Sequence, residues 1–110
     1  MKVYVSEYNE KEKLLDSFEI AKNIEEADSV IITPGGLSSL SDMFEAIVRN
    51  KNLYLYNEEQ YYNKIIEQLY KMYEKGYEKN EPFKYMKIES EFQSIIDDLN
   101  NLKNSNQRHI

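Results

Sequence analysis

The residues best suited to chemistry form a short segment rich in glycine and serine. It follows a run of apolar residues and consists of Thr33, Pro34, Gly35, Gly36, Leu37, Ser38 and Ser39. Glycines allow the main chain to approach a ligand closely. If a helix begins near Ser38 or Ser39, its free N–H groups and the positive end of its dipole point to the same space. We therefore predict a phosphate- or anion-binding loop, in which the two serine hydroxyls are additional donors.

The same segment also has a purely structural interpretation. Pro-Gly-Gly can simply turn the chain, and Ser39 and Asp42 have the spacing of a capping box, with Ser39 at the N-cap and Asp42 reaching back to it. Ligands usually collect at the carboxyl ends of parallel strands, which favours a binding role for the loop as a whole. For Asp42 the capping interpretation stays open.

Further polar and aromatic side chains are expected near this loop. Ser6, Glu7 and Tyr8 end the first predicted strand at the same edge, where they either line the ligand pocket, Ser6 above all, or form a polar turn. Tyr61 and Tyr62 open a later helix. One of their rings is placed to stack on a base, and the alternative is that they anchor the helix to the sheet.

The elements that position these residues alternate between strands and helices. Short β-branched or aromatic runs predict strands at residues 2–6, 29–33, 53–56 and 83–88. Apolar residues at helical spacing predict helices at residues 11–27, from the loop to about residue 50, at 62–77 and at 92–102. This alternation indicates the α/β class: a Rossmann-like, small, mostly parallel sheet of about four strands with flanking helices. We expect a single domain over residues 1–103 and a frayed polar tail at 104–110.

Composition limits the partners of this domain. The 110 residues include 20 acidic and 14 basic side chains, and the net charge of −6 repels a phosphodiester backbone, so we expect no nucleic acid. The absence of cysteine and of a long apolar run indicates a cytoplasmic protein with no membrane partner. The only histidine, His109, has no partner motif, so we predict neither a metal site nor a cofactor.

The loop and its surroundings resemble the Lonely Guy (LOG) family of nucleotide phosphoribohydrolases, part of the SLOG superfamily. The family motif is Pro-Gly-Gly-x-Gly-Thr-x-x-Glu, commonly followed by Phe-Glu. Residues 34–42 read Pro-Gly-Gly-Leu-Ser-Ser-Leu-Ser-Asp, and Phe44-Glu45 follow. The resemblance extends over about residues 16–102. It implies a nucleotide-type ligand at the loop and, if the chain is an enzyme, Asp42 and Glu45 as the catalytic carboxylates.

The chain departs from the family pattern at positions that hydrolysis requires. By register from Ala27-Asp28, a family Arg and Lys that help to hold and cleave the substrate fall on Glu19 and Ile20, and the motif Glu is shortened to Asp42. Family members are longer, so about the first half of their fold is expected to be missing or replaced by residues 2–9. Each change should slow glycosidic cleavage by orders of magnitude, because such reactions depend sharply on placement.

The resemblance and its departures together imply a catalytically degenerate domain that binds a nucleotide or ADP-ribose-type signal, as a sensor or a sponge. The alternative is a minimal nucleoside 5′-monophosphate phosphoribohydrolase. We also expect a homodimer or higher homo-oligomer. Four strands in sequence order, joined by right-handed crossovers, would place the connecting helices on one face. The other face would then be left apolar, with only the last helix to cover it.

Overall fold

A single open sheet of parallel strands organises the chain. The computed structural model describes residues 1–7 and 15–108, with side chains up to Ser105. The sheet has five strands in the order β2-β1-β3-β4-β5, all of them parallel. These are β1 (Lys2–Val5), β2 (Glu19–Ile20), β3 (Ser29–Ile32), β4 (Asn52–Tyr56) and β5 (Met86–Glu89). The predicted α/β, Rossmann-like class is confirmed, with β3 at the centre, and the sheet has one strand more than expected.

The extra strand lies inside the helix that was predicted over residues 11–27. Residues 15–27 form turns and β2 instead, so this prediction is wrong for the described part, and residues 11–14 lie outside it. The apolar residues are nevertheless buried, at intervals of three: Leu15, Phe18, Ala21, Ile24 and Ala27. The Ala21 N–H donates to the Val3 carbonyl at 2.9 Å, so pairing with β1 replaces the local bonds of a helix. Spacing alone does not separate these two outcomes.

The described residues contain three α-helices, at α1 (Leu37–Val48), α2 (Asn63–Glu74) and α3 (Phe92–Arg108). The helix predicted at 62–77 is α2, and Gly76, at φ +80°, follows its end. The tail expected to be frayed from Asn104 is helical up to Arg108, while His109 and Ile110 lie outside the described residues. Lys103 fastens this end of α3, because its Nζ donates to the Ser17 carbonyl at 2.7 Å.

Within the described segments, no helix combines the length and apolar character needed to cross a membrane.

Helices cover both faces of the sheet. On one face α1 and α2 bury Val30, Ile32, Leu53 and Leu55. On the other face α3 packs on Ile31, Tyr54 and Tyr56, together with Leu15 and Phe18. The expectation that this second face would be left apolar is therefore wrong. The homo-oligomer itself stays a prediction, but it has lost that argument.

A polar cluster fastens α3 to the sheet. The Tyr54 hydroxyl on β4 donates to the Asp98 carboxylate on α3, and Lys87 Nζ lies 2.8 Å from the same Asp98 oxygen. Burial, followed by the hydrogen bond to Asp98, raises the pKa of Tyr54. For Asp98, burial acts to raise the pKa, but the hydrogen bonds from Lys87 and Tyr54 outweigh it and the pKa is lowered. The folded state thus favours a neutral phenol and an ionised carboxylate.

Candidate functional site

The ends of β1 and β3 meet at the carboxyl edge of the sheet. Ser6 Oγ accepts a hydrogen bond from the Thr33 N–H at 2.9 Å, and the two hydroxyl oxygens lie 3.3 Å apart. The Ser6 N–H in turn donates to the Ile31 carbonyl at 3.0 Å. The structure therefore brings Ser6 and Thr33 together as expected. Because the two side chains bind each other and Thr33 is buried, they fix the base of the loop.

Helix α1 begins earlier than the sequence indicated. It starts at Leu37, with Gly36 as its N-cap at φ −102° and ψ −145°, and no side chain makes a capping hydrogen bond there. The proposed capping box is wrong, because Ser39 lies inside the first turn and Asp42 binds elsewhere. Because glycine has no side chain, it cannot accept hydrogen bonds from the first N–H groups of the helix as Ser or Asp does at an N-cap. These N–H groups therefore face the loop without a side-chain cap.

The two loop serines have different positions. Ser38 is exposed, whereas Ser39 is fully buried beneath Gly35, where a Cβ added to the glycine would lie 2.2 Å from Ser39 Oγ. Among the described residues, Ser39 Oγ has no hydrogen-bond partner. The Tyr62 hydroxyl is close to Ser39 but donates its proton to the Thr33 carbonyl, at 2.5 Å. Of the two predicted donors, only Ser38 is accessible to a ligand.

Both candidate catalytic carboxylates already have partners. The Tyr4 hydroxyl donates to Asp42 Oδ2 at 2.9 Å, and Arg49 Nε lies 3.0 Å from Glu45 Oε2 in an exposed ion pair. Burial, and then the hydrogen bond to Asp42, raises the pKa of Tyr4 to about 12. Asp42 is thus held against β1 by a neutral phenol, a contact that the sequence did not indicate.

Two tyrosines at the amino end of α2, the clamping tyrosines, bind carbonyl groups of the loop. Tyr61 donates its hydroxyl proton to the Gly35 carbonyl at 2.6 Å, and Tyr62 binds the Thr33 carbonyl as described above. The two rings meet edge to face, with centroids 4.9 Å apart and planes at 80°. Burial, with smaller effects from Tyr61 and Glu7, raises the pKa of Tyr62 to about 12. Tyr62 is an anchor, whereas Tyr61 remains 56% exposed.

A cleft of about 300 Å³ opens between the loop and these tyrosines. Its walls are Gly35, Gly36, Leu37, Leu40, Tyr61, Tyr62 and Ile65. Two larger grooves, of about 600 Å³ between α2 and β5 and about 310 Å³ between α1 and α2, contain none of the predicted ligand-binding residues. Over the described part of the chain, no group of three or more His, Cys, Asp or Glu residues could hold a metal ion. The candidate site is therefore the cleft beside the loop.

Comparison with known proteins identifies the family of the chain. A family described as "Possible lysine decarboxylase" matches residues 4–99, which include the loop, α1 and both clamping tyrosines. A search of curated proteins finds no match to the chain. The family match covers most of the 110 residues. The chain therefore belongs to the possible lysine decarboxylase family, the family of the LOG proteins.

Proposed function

We propose that the chain binds a nucleotide-derived small molecule through the glycine loop (residues 33–39) and does not turn it over efficiently. The ligand is a nucleotide or an ADP-ribose-type signal, and the chain acts as its sensor or as a sponge that removes it. The observation that carries this proposal is the amino end of α1. There Gly36 leaves the first amides without a side-chain cap, at the wall of the cleft.

The energetics favour an anion at this position despite the acidic surface. The helix dipole contributes about 0.3–2 kcal/mol, and each hydrogen bond to a charged group adds about 1.5–3 kcal/mol. The net charge of −6 opposes binding. Exposed charges are screened over about 8 Å at physiological ionic strength, so donors in direct contact with the ligand outweigh distant acidic groups.

The partners of three side chains favour weak turnover. Asp42 and Glu45 are engaged by Tyr4 and Arg49, so either carboxylate would have to exchange partners before it could act on a sugar. Glu19, at the register of the family Arg, pairs with Lys2 at the amino end of β1, the opposite end from the loop. The cation that would stabilise the phosphate end of a substrate is thus not supplied from that position.

A second candidate function is a minimal phosphoribohydrolase acting on nucleoside 5′-monophosphates. Family membership favours it, because the matched family is that of the LOG proteins. Release of free adenine from AMP, measured by chromatography, separates the two functions. Efficient release would replace the binding proposal with this one.

The binding proposal is tested by a thermal-shift screen with AMP, cyclic nucleotides and ADP-ribose. A ligand present at 100 times its Kd stabilises the folded state by about 2.7 kcal/mol, so binding is readily seen. A screen in which none of these ligands raises the melting temperature would contradict the proposal.

The role of the helix amides is tested with a matched pair of variants. Leu37→Pro removes the N–H at the first position of α1, where a helix tolerates proline, while Leu37→Ala removes the same side chain but keeps the N–H. Loss of one hydrogen bond to a charged group corresponds to roughly 10- to 150-fold weaker binding of AMP to the proline variant than to the alanine variant. Equal affinities would show that the anion lies elsewhere.

A further inference from the structure

The turn that precedes the clamping tyrosines is held in a strained conformation. Glu59 and Gln60 have φ values of +53° and +62°, which non-glycine residues seldom adopt. Asn57, largely buried after β4, holds this turn, because its Oδ1 accepts the Tyr62 N–H at 2.6 Å and its Nδ2 donates to Asn63 Oδ1 at 2.7 Å. Strain of this kind persists where the surroundings enforce it and is concentrated at functional sites.

The strained turn presents an aromatic ring that is both fixed and accessible. Tyr61 is tied to the Gly35 carbonyl through its hydroxyl and to Tyr62 through its ring. More than half of the surface of this residue is nevertheless exposed, at the wall of the cleft beside the loop. Leu37, a loop residue that also lines the cleft, is strongly exposed as well. An apolar surface that is already ordered loses little conformational entropy when it binds a ligand.

We propose that Tyr61 is a stacking platform for the nucleobase of the ligand, so that the cleft takes a planar heteroaromatic ring while the amides of α1 take the attached anion. This inference rests on the proposed function. It assigns the base of the ligand to Tyr61 and the anion to the amides of α1. Every base has a π face that stacks on an aromatic side chain, so the platform selects for planarity more than for one base. The cleft of about 300 Å³ has the dimensions of a small-ligand pocket.

The first test compares AMP with ribose 5-phosphate, which has the same sugar and phosphate but no base. Tyr61→Leu should weaken AMP binding roughly 5- to 150-fold in calorimetric titrations, the range for loss of one base–aromatic stack, and leave ribose 5-phosphate binding within about twofold. Tyr70→Leu is the matched control, because Tyr70 is similarly exposed on α2 but lines a different groove. An equal loss for both ligands would mean that Tyr61 only supports the loop, and would overturn the platform.

The second test does not depend on the folding of the leucine variant. The chain contains no tryptophan, so Tyr61→Trp introduces a single reporter that keeps an aromatic platform. We expect AMP to quench its fluorescence, ribose 5-phosphate not to do so, and a Tyr70→Trp reporter to respond to neither. If Tyr61→Leu binds AMP with unchanged affinity and AMP does not change the fluorescence of Tyr61→Trp, Tyr61 is not a stacking platform, but the proposed function still stands. Failure of the wild-type chain to bind AMP or any other nucleotide-type ligand overturns the proposed function together with it.

Discussion

Gly35 offers a sharp test of how tightly the loop is built. In Gly35→Ala, the new Cβ would lie 2.2 Å from Ser39 Oγ and 2.8 Å from Glu7 Oε1. Glu7 is exposed and can rotate away, but Ser39 is fully buried in the first turn of α1. The loop or the first turn of α1 must therefore shift. Gly36→Ala is the matched control, because nothing lies within 4 Å of its added Cβ.

The magnitude follows from overpacking at a buried position. Forcing one extra carbon into a well-packed site costs about 1–3 kcal/mol. For a domain of this size, 1 kcal/mol lowers the melting temperature by roughly 4–8 °C, so Gly35→Ala should melt roughly 4–24 °C below the wild type. Gly36→Ala should change the free energy of unfolding by less than about 1 kcal/mol, since the loss of a glycine N-cap is offset by a less flexible unfolded chain.

A double variant identifies the contact responsible. Ser39→Ala alone removes a buried hydroxyl without a hydrogen-bond partner among the described residues, so it should leave stability unchanged or raise it. Combined with Gly35→Ala it removes the clashing oxygen and should recover most of the lost stability, a coupling of about 1–3 kcal/mol in thermal or urea denaturation. Two results would refute the proposed contact between Gly35 and Ser39. One is equal melting temperatures for Gly35→Ala and Gly36→Ala, and the other is no gain in stability when Ser39→Ala is added to Gly35→Ala.

Three further predictions concern pH and assembly. The pKa of Tyr4 is raised from 10.0 to about 12, so its contribution to stability is complete below pH 10 and is lost as pH rises towards 12. In urea denaturation, the free energy of unfolding of Tyr4→Phe should therefore fall less steeply between pH 10 and 12 than that of the wild type. An equally steep fall would contradict this. The pKa of Asp98 is lowered from 3.8, so its contribution to the free energy of unfolding is lost as pH falls below that value. Asp98→Asn should be less stable than the wild type at neutral pH, and its stability should fall less steeply in acid. The homo-oligomer predicts a particle above 13.2 kDa in light scattering, and since Phe44 and Val48 expose apolar surface on α1, Val48→Lys should reduce its mass. A 13.2 kDa particle at micromolar concentration would exclude the oligomer.

The sequence was informative wherever a pattern had only one compatible structure. The uninterrupted apolar run before Pro34 has too few polar positions for a half-exposed strand, and it forms β3 at the centre of the sheet, buried on both faces. The apolar stripe of α2 was located for a similar reason. Position at the carboxyl edge of a parallel sheet follows from topology, which is why the meeting of Ser6 with Thr33 was predictable.

Where one pattern fits two structures, the sequence misled. Apolar residues three apart suit a helix, but between Leu15 and Ala27 they line turns and an edge strand. The pairing of β2 with β1, together with the bond from Ala21 to Val3, decides between the two. The cover of the second sheet face likewise depended on where α3 docks, through the Tyr54–Asp98 contact. Long-range pairing of this kind leaves no periodic signal.

The residue types of the candidate site were thus determined by the sequence, and their roles by the tertiary structure. Pro-Gly-Gly and the serines marked the loop. The capping box, a local spacing rule, does not form, because α1 begins at Leu37 and Asp42 binds the Tyr4 hydroxyl of β1 instead. Ser39 was expected to face a ligand and instead lies beneath Gly35, because α1 begins at Leu37. Tyr61 reaches the loop from 26 residues away in the chain. Composition and spacing can state which groups are present, whereas burial and hydrogen-bond partners depend on contacts between segments that only the folded chain brings together.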